Sequence, residues 1–250
     1  MTCALEVNHL CFRYREFSLQ DVTTSLHLGE QKALVGLNGS GKTTLLKLIV
    51  GLLEPESGTI HIFERKVERE NLWEIRRDVG FLFQNPDDQL FAPTVWEDIA
   101  FGPRNLGLPP DDVEERVEWA LSMVGMSHFS DRPVNQMSYG EEKRVALAGI
   151  IAMHPKILIL DEPFAGLDFP MISTMVDIVQ NLRDEGISVL YTTHDRFFLE
   201  NWADSVAVLH DGKLIYDGPA ECALQDASVR EHTGDWSELK HRMREHRGFV

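Results

Sequence analysis

The stretch Gly36-Leu37-Asn38-Gly39-Ser40-Gly41-Lys42-Thr43 decides the fold class of this 250-residue chain. It fits a phosphate-binding pattern in which glycines let consecutive backbone N–H groups turn towards an anion. Residues 32–35 before it are typical of a short buried strand, and residues 44–50 after it are typical of a helix stopped by Gly51. Strand, glycine loop and helix start together predict a site for a nucleoside triphosphate.

The residues of this glycine loop have distinct expected roles. Lys42 would place its charge against the β- and γ-phosphates, and the Thr43 hydroxyl would ligate Mg²⁺. A chance glycine-rich turn is the alternative, and the flanking strand and helix disfavour it. The expected nucleotide-binding residues are Gly36, Leu37, Asn38, Gly39, Ser40, Gly41, Lys42, Thr43 and Thr44.

The composition is that of an acidic globular chain. There are 24 Lys and Arg against 40 Asp and Glu, so the net charge is −16. This balance argues against broad attraction to nucleic acid or anionic lipid, because both need a positive face. Cys3, Cys11 and Cys222 form no paired framework, which favours a reduced cytosolic setting. We find no apolar run of about 18 residues and no leader pattern, and therefore expect neither membrane crossing nor secretion.

Two antiparallel strands are predicted near the N-terminus, over residues 4–12 and 18–28. Tyr14 lies between them, where an aromatic ring would either join the core or stack on a base. A later buried strand over residues 79–83 runs into Gln84. This glutamine would either simply end the strand or reach the metal and the attacking water.

Residues 86–154 have no strand pattern and are predicted to form a helical insertion. Within the insertion, Thr94 is expected to cap a helix over 95–101. Residues 102–110 are expected to form a loop, and Asp111 to cap the next amphipathic helix.

Ser138 and Glu141 have the spacing of a capping box at the start of a helix over 139–153. A well-capped helix is sufficient to explain this pattern. A helix start with Gly140 in its first turn is also a second place where an anion could bind.

Two further buried strands are predicted to end near the glycine loop. Residues 156–160 run into Asp161-Glu162, and residues 187–193 run into His194. In an α/β sheet, ligands bind at the carboxyl ends of the strands. We therefore expect Asp161 to contribute to the Mg²⁺ site as an outer partner of the ion, and Glu162 to act as the base that orients the attacking water. The simpler alternatives are a pair of solvated strand-end acids and a structural histidine.

Taken in order, these motifs resemble those of the ATP-binding cassette (ABC) ATPases. The shared elements are the glycine loop, Gln84, Ser138-x-Gly140, Asp161-Glu162, Asp168 and His194. The resemblance covers residues 4–225. It implies an α/β P-loop NTPase fold with a mainly parallel core sheet, an antiparallel β-subdomain and a helical subdomain. It also implies a domain over 1–225 and a charged tail over 226–250.

The resemblance gives further roles to single residues. Tyr14 would stack on the adenine of ATP, Asp168 would contribute to the nucleotide site, and His194 would contact the γ-phosphate. The stretch from Gln84 to Pro103 is similar to the ATPases of energy-coupling factor transporters, which import cobalt, nickel or vitamins in prokaryotes.

The signature segment and one later position depart from the family pattern. The signature segment Met137-Ser138-Tyr139-Gly140-Glu141 stands where the family has Leu-Ser-Gly-Gly-Gln. Ser138 and Gly140 are kept, whereas Tyr139 is bulky and Glu141 is charged. Phe164 occupies a position where a small hydroxylated residue is common.

The resemblance implies a head-to-tail dimer that closes over two ATP molecules, formed with a second copy or a related ATPase chain. Each site would use the glycine loop, Gln84, Asp161, Glu162 and His194 of one chain, with Ser138 and Gly140 of the other. A transmembrane coupling subunit would dock near Gln84–Pro93, where Leu90 and Phe91 are expected to be exposed. The chain would then work at the cytoplasmic face of the membrane.

Other functions are disfavoured by particular residues. An ABC ATPase acting on DNA or the ribosome usually has two cassettes or long inserted arms, and neither is found. A non-hydrolysing module would be expected to lose Glu162 or His194, and a nucleotide kinase would lack Ser138-x-Gly140. His232, His241 and His246 in the tail share no helical face, which disfavours a metal site.

Overall fold

The computed structural model describes residues 2–14, 16–226 and 229–230. Their strands are β1 (Cys3–Tyr14), β2 (Phe17–His27), β3 (Gln31–Val35), β4 (Ser57–Ile62), β5 (Arg65–Lys66), β6 (Val79–Leu82), β7 (Ile157–Leu160), β8 (Ser188–Thr193), β9 (Ser205–His210) and β10 (Lys213–Pro219). Their helices are α1 (Lys42–Ile49), α2 (Leu72–Asp78), α3 (Val95–Asn105), α4 (Pro110–Met123), α5 (Tyr139–Ile151), α6 (Phe169–Asp184), α7 (Arg196–Asn201) and α8 (Ala220–Ala223). The tail histidines His232, His241 and His246 lie outside the described residues.

The strands form two sheets. The larger has six strands in the order β10-β9-β3-β8-β7-β6, and β3 is parallel to both of its neighbours. Only the pairing of β10 with β9 is antiparallel in this sheet. The smaller sheet has the order β2-β1-β4-β5 and is antiparallel. This arrangement confirms the predicted parallel core sheet and antiparallel β-subdomain.

The glycine loop is held between two apolar clusters. Ala33 and Val35 of β3 face the cluster shared with α3 to α6, whereas Leu34 faces the cluster shared with α1 and the antiparallel sheet. Leu46 and Ile49 of α1 have no exposed surface. Complete burial of one such side chain contributes about 1.5–3 kcal/mol. The loop between β3 and α1 is therefore fixed at the carboxyl edge of a sheet that is covered on both faces.

The third helix is longer than its sequence predicts. The predicted loop over 102–110 is wrong at its start, because α3 continues through Gly102 and Pro103 to Asn105. A Cβ at Gly102 would lie 2.6 Å from Met153 Cγ, so the glycine lets this part of α3 pack closely against the end of α5. This packing outweighs the helix-breaking preference of Pro103.

Two other features of the helices differ from expectation. Asp111 does not cap α4, because Pro109 occupies the cap position and Pro110 begins the helix. Proline suits the first helical turn, and Asp111 then lies at the positive end of the helix dipole. The short helix α2 has no counterpart among the predictions.

The described residues contain no helix whose length and hydropathy would suit a membrane span.

Candidate active site

The glycine loop packs tightly against its surroundings. Gly41 has φ +108°, and a Cβ there would lie 2.4 Å from Phe17 Cζ. At Gly36, where φ is +155°, a Cβ would lie 2.2 Å from the backbone oxygen of Leu209. Larger residues at these two positions would displace either the backbone or a ring, so both glycines are needed for the observed loop.

Lys42 lies across its own loop. Its Nζ donates to the backbone oxygens of Gly36 at 2.7 Å and Leu37 at 3.3 Å. Burial lowers the pKa of Lys42, and the nearby carboxylates of Glu162 and Asp161 act against this shift. The ammonium group is thus held where the glycine loop closes, beside two negative charges.

A chain of hydrogen bonds joins the glycine loop to the strand ends β7 and β8. Thr43 Oγ1 donates to Asp161 Oδ2 at 2.8 Å, and Thr192 Oγ1 donates to Asp161 Oδ1 at 2.7 Å. The backbone N–H of Glu162 in turn donates to Thr192 Oγ1 at 2.7 Å. Asp161 is buried, so each of its carboxylate oxygens has a fixed partner.

Glu162 has a different environment from its neighbour. Its φ of +47° is rare for a residue with a side chain. His194 Nδ1 lies 3.1 Å from Glu162 Oε2. The Glu162 side chain is 12% exposed and that of His194 is 66% exposed, so the pair lies at the rim of the site.

These groups border one cavity of about 680 Å³, which we term the central cavity. Tyr14 and Gln84, which are far apart in sequence, both line it. The full lining is Phe12, Tyr14, Phe17, Asn38, Gly39, Gly41, Lys42, Thr43, Thr44, Lys47, Leu53, Gln84, Asp161 and Glu162. The central cavity therefore combines aromatic side chains with two lysines, hydroxyl groups and carboxylates.

Some of the predicted site residues lie beside this cavity rather than in it. Gly36, Leu37 and His194 line a neighbouring cavity of about 250 Å³, next to the ends of β3 and β8. Ser40, within the glycine loop, is buried, with an exposure of 3%.

Ser138, Gly140 and Asp168 do not line the central cavity. Ser138 caps α5, and Glu141 Oε2 accepts from both its backbone N–H at 2.8 Å and its Oγ at 2.9 Å. These bonds, led by that of the backbone N–H, lower the pKa of Glu141. The bonds between Ser138 and Glu141 confirm the predicted capping box at the start of α5. Asp168 caps α6 by accepting from the N–H of Met171 at 3.0 Å.

The signature segment is also connected to the site within its own chain. Tyr139 Oη donates to the backbone oxygen of Gln84 at 3.2 Å. Lys143, on the next turn of α5, is completely buried and donates to backbone oxygens of the turn after Glu162. Sequence reasoning missed Lys143 and Thr192, although a charge or hydroxyl at an otherwise apolar buried position was a usable signal.

An exposed aromatic pair lies beyond Gln84. The rings of Phe91 and Phe101 meet edge to face with centroids 4.7 Å apart, and Phe91 is 64% exposed. Asp98 Oδ1 accepts from the N–H of Phe91 at 3.0 Å and so fixes the loop. The expected exposure of Leu90 is wrong, because this side chain is partly buried against the core shared with α3 to α6.

Comparisons with known proteins agree on the type of protein that this chain resembles. A family profile described as "ABC transporter" matches residues 19–165. The energy-coupling factor transporter ATP-binding protein EcfA of Methanocaldococcus jannaschii is 42% identical over 90% of this chain and 82% of its own length. A putative ABC transporter ATP-binding protein of Geobacter sulfurreducens is 45% identical over 86% of each chain.

Solved structures give the same result for the fold. The cbiO1 protein of Clostridium perfringens, described as part of the ABC transporter complex cbiONQ, superposes with a TM-score of 0.82. It is 34% identical, and the match covers 98% of this chain and 100% of that one. A nucleotide-free ATP-binding cassette from an ABC transporter superposes with a TM-score of 0.81 at 25% identity.

Proposed function

The chain belongs to the ATPase family of ABC transporters, whose members couple ATP hydrolysis to transport, and from this premise we propose that it energises a membrane importer. The observation that carries the chemistry is the bond between Thr43 and Asp161, which joins the glycine loop to the carboxylate pair. The importer role is supported by the similarity to EcfA proteins and cbiO1. The ATP-binding domain would span residues 1–225, with its helical insertion over about 86–154.

The central cavity supports the proposed binding of ATP. Tyr14 lines the central cavity and is 59% exposed, which supports the proposed stacking of its ring on an adenine. Lys42 would exchange its bonds to the loop oxygens for the β- and γ-phosphates, while the loop N–H groups and Thr44 surround the phosphate oxygens. Phosphate charge would also compensate for the burial that lowers the pKa of Lys42.

The donor set near Lys42 fits a Mg²⁺ ion bound together with ATP. Thr43, Gln84 and Asp161 offer a hydroxyl, an amide oxygen and a carboxylate, which are the oxygen donors that Mg²⁺ prefers. Thr43 Oγ1 and Asp161 Oδ2 already lie 2.8 Å apart at the wall of the cavity. We propose that these three residues hold the ion, whose charge would stabilise the phosphates during transfer.

Glu162 and His194 are proposed to carry the hydrolytic step. The Glu162 carboxylate borders the central cavity and would accept a hydrogen bond from the attacking water. His194 would keep that carboxylate oriented through its 3.1 Å contact and would present its exposed ring to the γ-phosphate. Gln84, which also lines the central cavity, would help to orient the water.

Ser138, Gly140 and Asp168 are proposed to act across a dimer. They do not line the central cavity of their own chain, which supports the proposal that a second chain would bring them to a nucleotide. The start of α5 is exposed at Ser138 and offers backbone N–H groups to an anion. The second chain would be another copy or a related ATPase, and the pair would close when ATP bridges both surfaces.

A transmembrane coupling subunit is the proposed second partner, docking near Gln84–Pro93 at the cytoplasmic face of the membrane. The exposed pair Phe91 and Phe101 supports this placement, since apolar side chains next to a fixed loop suit a partner helix. We propose a transition-metal ion, cobalt or nickel, or a vitamin as the solute. This proposal rests on the similarity of residues 84–103 to energy-coupling factor ATPases.

Substitution of Glu162 by glutamine tests the proposed chemistry. The amide keeps the size of the side chain but does not accept a proton, so we expect ATP hydrolysis to fall by about 100-fold or more. Binding of Mg-ATP should stay within about twofold, and a closed dimer should accumulate in light scattering. Glu185→Gln, an exposed change at the end of α6, is the matched control. Hydrolysis at the parent rate in Glu162→Gln would refute the assignment of Glu162.

A further inference from the structure

Lys143 is a buried cation to which the proposed nucleotide chemistry gives no role. It lies in α5, one helical turn beyond Tyr139, and has no exposed surface. Lysine is rarely buried completely unless its ammonium group is paired with another group. Among residues 2–14, 16–226 and 229–230, no carboxylate forms an ion pair with Lys143. The hydrogen bonds of its ammonium group are instead made to neutral groups.

Three backbone oxygens accept hydrogen bonds from the Lys143 ammonium group. Lys143 Nζ donates to Glu162 O at 3.0 Å, Pro163 O at 3.2 Å and Ala165 O at 3.0 Å. An ammonium group has three N–H donors, so all of them are used. All three oxygens belong to the turn that follows β7, and Lys143 thus fastens this turn to α5.

The fastened turn begins with an unfavourable backbone conformation. Glu162 has φ +47°, which residues with side chains seldom adopt unless their surroundings hold them there. Two other bonds act on the same turn, from Glu162 N to Thr192 Oγ1 and from Ala165 N to Glu162 O. This conformation lets Asp161 face Thr43 while Glu162 faces His194.

Tyr139 covers the Lys143 ammonium group. The Lys143 Nζ lies 5.4 Å from the centroid of the Tyr139 ring, within range of a cation–π interaction. The same ring packs on Gly166, where a Cβ would approach Tyr139 Cε1 to 2.9 Å. Tyr139, which is one of the departures from the family signature, therefore helps to separate this cation from water.

We propose that Lys143 is a positioning residue for ATP hydrolysis, whose bonds to the Glu162–Ala165 turn hold the Glu162 carboxylate in its working orientation. The inference rests on the proposed role of Glu162. Lys143 does not line the central cavity, so its loss should affect turnover much more than nucleotide binding. A lysine kept only for packing would not have this selective effect.

The test compares Lys143→Met, which keeps the length of the chain without donors, with Lys143→Gln, which keeps two N–H donors. We expect the methionine variant to lose about tenfold or more in kcat, because small misplacements of reacting groups are costly. The affinity for Mg-ATP should stay within about twofold, and the glutamine variant should lie between the methionine variant and the parent. Arg116→Met is the control, because Arg116 also donates to a backbone oxygen, that of Ala152, but lies away from the site. Its kcat should match the parent.

A double substitution separates positioning from general damage. If Lys143 acts through Glu162, adding Lys143→Met to Glu162→Gln should cause little further loss in single-turnover hydrolysis. Additive losses, an unchanged kcat in Lys143→Met, or an equal loss of ATP affinity and kcat would each overturn the proposal. If the methionine variant does not fold, Lys143→Gln decides, and parent-like kcat in that variant overturns it. A fully active Glu162→Gln would instead refute the role of Glu162 itself.

Discussion

Asp161 and Glu162 are adjacent carboxylates in different surroundings, which suit one to a fixed position and leave the other accessible. Asp161 is buried, and its two carboxylate oxygens accept hydrogen bonds from the hydroxyls of Thr43 and Thr192. Its carboxylate is therefore suited to hold a fixed position. Glu162 follows in a left-handed backbone conformation, and its carboxylate stays accessible beside His194. The sequence predicts that both acids lie at a strand end, but not this division, because it depends on one φ angle and on partners about 30 and 120 residues away.

Lys143 gives a prediction about pH at the scale of a single residue. Burial lowers the pKa of Lys143 to about 8 from 10.5, while Glu162 and Asp161 act against this shift. Between these two pH values the unfolded chain holds the proton and the folded chain does not, so stability rises with pH. The free energy of unfolding of the parent should rise relative to that of Lys143→Met by at most about 1.4 kcal/mol per pH unit.

Chemical unfolding of both proteins from neutral pH to about pH 10 measures this difference. Subtracting the free energy of one protein from that of the other cancels the contributions of other titrating groups to the pH dependence. The groups that face Lys143 are Asp161, Glu162 and Tyr139, and both proteins contain all three. A difference that does not change with pH would show that the pKa of Lys143 is not lowered.

At the scale of elements, α5 has several roles in the site, and the sequence predicts only some of them. The capping box at Ser138 was predicted because its spacing is local, and so were β3, the glycine loop and α1. The extension of α3 beyond Gly102 was not predicted, since it depends on the contact with Met153. Local patterns thus identified the elements of the site, whereas contacts between distant elements set their limits and their connections.

Glu141 at the start of α5 provides a prediction about the proposed dimer. Its carboxylate engages the Ser138 hydroxyl and keeps a low pKa, so it is charged where a phosphate of the other chain would approach. Arg132, at 3.7 Å, offsets only part of this charge. Glu141→Gln should therefore strengthen ATP-dependent dimerisation by about fivefold, or about 1 kcal/mol, and leave nucleotide affinity of the single chain unchanged.

Sedimentation or light scattering with Mg-ATP, in a background of Glu162→Gln to prevent turnover, measures this dimerisation. Glu142→Gln is the matched control, because Glu142 lies one residue further on and is bonded to Ser138 through its backbone N–H, which the substitution leaves in place. Equal strengthening by both variants would point to a general charge effect, and no change in Glu141→Gln would place Ser138 away from the phosphates of the other chain.

At the scale of the whole molecule, the phosphate chemistry and the exposed aromatic pair are joined by a short path. Gln84 lines the central cavity, and its backbone oxygen accepts from Tyr139 of the signature segment. Further along the chain, Asp98 accepts from the N–H groups of Phe91 and Ala92 and so fixes the loop that presents Phe91. A movement of Gln84 would therefore reach both the signature segment and the surface proposed for the membrane partner.

Phe91→Asp tests whether that surface docks the transmembrane subunit. The ring is 64% exposed, so the charged variant should fold, and its basal ATPase rate should stay within about twofold of the parent. Binding to an energy-coupling factor transmembrane subunit should weaken by about tenfold or more, because a buried aspartate would face an apolar helix. Leu28→Asp, at a similarly exposed position in the turn after β2, is the control and should bind normally. Undiminished binding by Phe91→Asp would exclude this docking surface, and loss of basal ATPase would mean that Phe91 supports the fold of the site instead.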